Sequence, residues 1–213
     1  MLAALHCVFQ PRRASRPLWP AILLAAVPLL LCACGAASHA ASQRSALDGV
    51  TPSGLSAPGF ELRDQHGQLV RLADERGRDV VVTFLYVHCP DVCPIIAGQL
   101  NEALHELGPR RDDVRVLAVS VDPTGDTPRA VHHFIAVHRL LPQFLYLTGS
   151  ASQLEPIWHG YHVAATKVRG KLVVGHTAIS LLLDPDGRPR AVYDSHVTAA
   201  EVVHDLHALG LAS

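Results

Sequence analysis

From residue 58 onward the chain switches between two hydrophobic rhythms. Val80–Val87 is a run of β-branched and aromatic residues with no polar alternation, as expected of a strand buried on both faces. Val114–Val121 repeats that pattern, and Phe144–Leu147 is a shorter strand of the same kind. Between them the period becomes helical. In Pro94–Leu107 the residues Ile96, Ala97, Leu100, Ala103, Leu104 and Leu107 share one face, and Gly108-Pro109 ends the helix. Thr127-Pro128, an N-cap followed by proline at the first helical position, opens a helix running to about His138. Ser150 opens another through about Trp158, and Thr198 a last one to Leu209. Two hairpins frame the domain: Phe60–Leu62 with Leu69–Leu72 across His66-Gly67, and Leu181–Leu183 with Ala191–Tyr193 across Asp184-Pro185-Asp186-Gly187. Strands alternating with helices and closed by a hairpin predict an α/β fold, a mixed central sheet flanked by helices.

The first 57 residues follow neither rhythm. Arg12, Arg13 and Arg16 precede an apolar run from Leu18 to Ala33 that contains Pro20 and Pro28. A spanning helix needs about 20 apolar residues, so the run reads as a cleaved export signal. It ends Leu31-Cys32-Ala33-Cys34-Gly35, which resembles the lipobox of bacterial lipoproteins. That resemblance implies cleavage before Cys34 and lipidation of its sulfur. The expected organisation is a signal peptide at 1–33, a lipidated N-terminus and flexible tether at 34–57, and one folded domain at 58–213. The expected location is the periplasmic face of a bacterial membrane, held there by the lipid anchor.

Composition sharpens the picture in two ways. The 213 residues carry a net charge of −1, so no basic excess exists to neutralise a phosphate backbone and a nucleic-acid partner is excluded. Of five cysteines, Cys7 and Cys32 leave with the signal and Cys34 is lipidated, which leaves Cys89 and Cys93. Both lie in Tyr86-Val87-His88-Cys89-Pro90-Asp91-Val92-Cys93-Pro94, a loop between the most apolar strand and the first helix. Ligands gather at the carboxyl ends of strands in open α/β sheets. The helix dipole at Cys93 favours a thiolate there, with Asp91 opposing it. Three readings of the pair compete: a structural disulfide, a redox dithiol, and a soft-metal site. A bridge over so short a loop stabilises little. Residues four apart on a helix have Cβ atoms about 5–6 Å apart, wide for a disulfide but within reach of a shared metal.

The same segment, from Phe84 to Pro94, resembles the signature of the SCO/SenC copper-protein family. Ser120-Val121-Asp122-Pro123-Thr124-Gly125-Asp126-Thr127-Pro128 resembles that family's aspartate loop. Gly175-His176-Thr177-Ala178 with Leu183–Gly187 resembles its histidine segment, although Gly175 stands where the family often has an acidic residue. The opening Pro58–Leu62 with Asp64 and Gly67 fits as well, so the resemblance spans about residues 58 to 209. It implies a thioredoxin-like fold that binds one copper ion, Cu(I) or Cu(II), through Cys89, Cys93 and His176. It also implies a copper metallochaperone serving the dinuclear copper centre of cytochrome c oxidase subunit II, supplied by another periplasmic copper carrier. The alternatives are a thiol–disulfide oxidoreductase, with Cys89 and Cys93 as redox dithiol keeping the oxidase cysteines reduced, and a redox or copper sensor. Two thiolates suit Cu(I), and an imidazole lets the site hold Cu(II) too. His88, next to Cys89, is expected to point away from the site, and Asp122 and Asp126 are expected to cap the helix at Pro128 or orient nearby groups rather than bind. His132, His133, His138, His204 and His207 are expected on solvated helix faces.

Overall fold

The computed structural model describes residues 47–51, 54, 56–168, 171–174 and 178–211, with 165–168 and 171–174 as strand backbone only. The N-terminal signal, Cys34 and His176 lie outside the described residues.

A short hairpin, β1 (Glu61–Arg63) and β2 (Leu69–Arg71), precedes the central β3 (Asp79–Leu85). Then come α1 (Val92–Glu106), β4 (Val114–Ser120), α2 (Pro128–His138), β5 (Phe144–Leu147) and α3 (Ala151–Gly160). An antiparallel pair, β6 (Ala165–Val168) and β7 (Lys171–Val174), leads to β8 (Ser180–Leu183), β9 (Pro189–Tyr193) and α4 (Ala199–Leu206). The central sheet has the order β5-β4-β3-β8-β9, with β3, β4 and β5 parallel and β8 and β9 antiparallel to their neighbours. This is the expected thioredoxin-like α/β arrangement, a mixed sheet between two helical layers.

The missing polar alternation in the strands has a simple cause. Successive residues point to opposite faces, and both faces are covered. Val81, Leu85, Val116, Ala118, Phe144, Tyr146 and Leu182 join one apolar cluster with α1, α2 and α4. Val80, Val82, Phe84, Leu117, Val119, Leu147, Leu181 and Leu183 join a second with α3 and the first hairpin. Both faces are lined mainly by apolar side chains, so strand sequence alone could not orient the sheet.

Two features depart from expectation. The β6–β7 pair has no counterpart in the sequence reading. Residues 47–50, placed in the tether by composition, are held on the domain: Val50 bridges to Val192, and the Asp48 and Gly49 N–H groups donate to the Asp205 carboxylate at 2.6 and 2.9 Å. Asp205 is fully buried on α4 and also accepts from the Tyr193 hydroxyl at 2.8 Å. Asp48 and Gly49 are over 150 residues away from it in the chain, so no local pattern announces them.

Candidate functional site

The carboxyl ends of β3 and β4 lie side by side because the strands pair in parallel, Leu85 opposite Ser120. Each therefore delivers its following loop to the same edge of the sheet. After β3 the chain turns through Tyr86-Val87-His88, where the Cys89 N–H donates to the Tyr86 carbonyl at 3.2 Å. Helix α1 starts at Val92 behind Asp91, two residues before the expected Pro94, so Cys93 sits in its first turn. The Cys93 N–H donates to the Cys89 sulfur at 3.4 Å. The first turn of the helix thus aims an otherwise unpaired backbone donor at sulfur.

Both cysteines are free thiols, and their environments differ: Cys89 is half-buried, whereas Cys93 is 3% exposed. The Cys93 thiol donates to Cys89, and that bond, aided by backbone N–H groups and the Tyr86 hydroxyl, lowers the Cys89 pKa. The same bond and burial raise Cys93. The expectation that the helix dipole would make Cys93 the thiolate is therefore corrected. Burial and donation to its partner outweigh the dipole, and Cys89 carries the charge. Tyr86 is pushed up to about 12 by burial and by its bond to Cys89, so it stays a donor. Alkylation by iodoacetamide follows the thiolate fraction. The Cys89 rate is accordingly expected to change little from about pH 7 to about pH 9, a span over which an ordinary thiol gains more than about tenfold. A mass-resolved rate profile checks this.

The loop is locked by Asp126, 4% exposed. Its carboxylate accepts from the Val87 N–H at 2.9 Å, the Ser120 hydroxyl at 2.6 Å and the Tyr146 hydroxyl at 2.9 Å. One side chain thus ties the cysteine loop to the end of β4 and to β5. Asp126 orients neighbours as expected, but neither aspartate caps α2; Thr127 does, accepting from the Ala130 N–H at 3.3 Å. Asp122 holds its own loop by accepting from the Thr124 hydroxyl at 2.8 Å. His88 is exposed and turns toward that loop: a Cβ on Gly125 would collide with an Asp122 carboxylate oxygen and fall 3.2 Å from the His88 Nδ1. Glycine is required there by close approach.

The third strand at this edge is β8, antiparallel to β3, so it begins where β3 ends, with Ser180 opposite Thr83. The Ser180 hydroxyl donates to the Thr83 hydroxyl at 3.0 Å. Ala178, two residues after His176, packs against the apolar cluster that contains Cys93. His132 and His133 are exposed, as expected. His204 is not simply solvated: its Nδ1 lies 3.1 Å from both Asp48 and Asp205. Sequence reasoning passed over Tyr86 and Tyr146 as hydrogen-bond partners, since each reads as one more apolar residue in a strand.

Comparison with known proteins gives a consistent result. The SCO1/SenC family model matches residues 51–210. A copper-bound structure of ScoI from Bradyrhizobium japonicum is 32% identical, with a TM-score of 0.64, covering 71% of this chain and 98% of that one. The apo Sco1 solution structure from Thermus thermophilus is 30% identical, with a TM-score of 0.66, covering 76% and 96%. The bovine mitochondrial SCO2 homologue is 34% identical over 152 residues, 68% of this chain and 56% of its own length.

Proposed function

The chain belongs to the SCO1/SenC family, and on that premise we propose that it is a copper carrier binding one ion through Cys89, Cys93 and His176. Its proposed client is the dinuclear copper centre of cytochrome c oxidase subunit II, and its proposed supplier another periplasmic copper carrier. The observation that carries the reading is the paired free thiols at the carboxyl end of β3, on the edge where β8 begins. Two thiolates prefer a soft ion, and an added imidazole widens the site to Cu(II). Three ligands leave a position open through which client thiols can displace the carrier's own. The ion is cargo. The mature chain has no methionine, so no thioether competes for it. Removal of residues 1–33 and lipidation of Cys34 would hold the domain at the periplasmic face, where that client's copper site is assembled.

A second reading is favoured by the asymmetry of the thiols. A lowered Cys89 beside a buried, protonated Cys93 suits attack and resolution. The Cys89 thiolate would attack a client disulfide, and Cys93 would then displace the client sulfur. The products are two client thiols and a Cys89–Cys93 disulfide, with electrons balanced.

Anaerobic copper titration of the reduced protein separates the two. The carrier reading expects one tightly held equivalent in the wild type, with affinity lowered more than about tenfold in His176→Ala. Equal affinity with and without His176, alongside full reductase activity in both, would replace it with the reductase reading.

A further inference from the structure

Away from the thiol pair, imidazoles gather on the flank formed by α2 and the first hairpin. His66 at the hairpin turn and His132 on α2 are both exposed, and their ring centroids lie 6.4 Å apart with planes at 66°. We propose that His66 and His132 form a second metal site, a two-imidazole site for Cu(II), separate from the cysteines and from any role they have.

The distance fits. Imidazole nitrogens sit about 1 Å from the ring centre and bind at about 2.0–2.1 Å, so an ion shared by two rings lies about 3 Å from each centroid. A wide-angle site therefore spans about the separation observed, and rotation of two exposed side chains is enough to turn their nitrogens inward. Among divalent first-row ions an imidazole site favours copper. Water completes the shell at the surface.

The backbone that carries the two rings is held in place. The His66 N–H donates to Asp64 at 2.8 Å, and Arg63 donates to the Gly67 carbonyl at 2.8 Å, which fixes the turn. The next anchor is Gln65, whose side-chain Oε1 accepts from the Tyr146 N–H at 2.8 Å. On the other side, Phe134 of α2 packs edge-on against the Tyr146 ring at 5.9 Å. Hairpin and helix thus meet the same residue of β5, and the spacing between His66 and His132 follows from the core rather than from surface chance. With the backbone of both residues fixed, binding has only the two side-chain rotamers left to order. Around the corner of α2, His133 and His138 line a groove of about 760 Å³ that also holds His88.

The test removes the thiol site first. A Cys89→Ser, Cys93→Ser, His176→Ala chain is titrated with Cu(II) alone and followed by pulsed electron paramagnetic resonance, which counts bound imidazoles. The same titration on wild-type protein with alkylated thiols stands in if the triple variant is not folded by circular dichroism. The expected result is one equivalent of Cu(II) with two imidazoles, weakened by about tenfold or more in His66→Ala and in His132→Ala and unchanged in His138→Ala. A one-imidazole signal, or an affinity indifferent to His66 or His132, overturns the proposal. Because Cys89 and Cys93 are replaced or blocked in both arms, neither result bears on the carrier reading.

Discussion

Replacing Asp126 with alanine is expected to cost about 3 kcal/mol or more of folding stability, measured by urea unfolding. The substitution leaves the Val87 N–H and the Ser120 and Tyr146 hydroxyls without the acceptor they share. Each buried donor stripped of its partner costs about 1–3 kcal/mol. Asp126→Asn is expected to lose much less, because its carbonyl can still accept from Val87 while the two hydroxyls turn to accept from its amide. The comparison also has a pH signature. Burial raises the Asp126 pKa, with the three hydrogen bonds opposing. The folded state therefore holds this proton more tightly than the unfolded chain. The group's contribution to stability is complete below its unfolded pKa and falls as pH rises through the folded value. Asn at this position does not titrate, so Asp126→Asn is expected to gain on the wild type as pH rises above the ordinary carboxylate range. A stability difference that stays flat with pH would remove the raised pKa from the account.

The second large effect is expected at Cys93. If Cys89 and Cys93 share a copper ion as proposed, Cys93→Ser lowers copper affinity by more than about a hundredfold, beyond the 10–100-fold that follows loss of an outer-shell partner. Cys93→Ala goes further, because it leaves no hydroxyl to replace the thiol that donates to Cys89 and holds its titration down. Alkylation of Cys89 in Cys93→Ala is then expected to move toward the ordinary thiol range near about pH 8.5. Copper titration and the alkylation profile report on different atoms. A variant that loses copper but keeps the wild-type alkylation profile would locate the lowered Cys89 pKa in the backbone donors instead.

Much of the architecture was legible before any coordinates. The apolar runs marked β3, β4 and β5 to within two residues, and Thr127-Pro128 placed the start of α2. These signals are local: a run covered on both faces, a cap, a proline that suits the first helical position. The β6–β7 pair was not legible, because Ala165–Val174 mixes lysine, threonine and glycine into strands too short to show a period. The site divided along the same line. Cys89 and Cys93 stood out by type and spacing, whereas the difference between their thiols did not, since both are cysteines beside a proline at one helix start. That difference depends on which sulfur the core buries.

The primary sequence by itself determined the order of the central strands and helices, the pair of cysteines at the end of the most apolar strand, and the three motifs of the family. Tertiary structure alone decided which thiol holds the charge, that Asp126 clamps the cysteine loop through Tyr146, and that Asp205 fastens the segment at Asp48 and Gly49. The physical reason is range. Propensity, capping and period act over a few neighbouring residues, whereas burial and hydrogen bonding join groups from 20 to 157 positions apart here, and chain order does not record who those partners are.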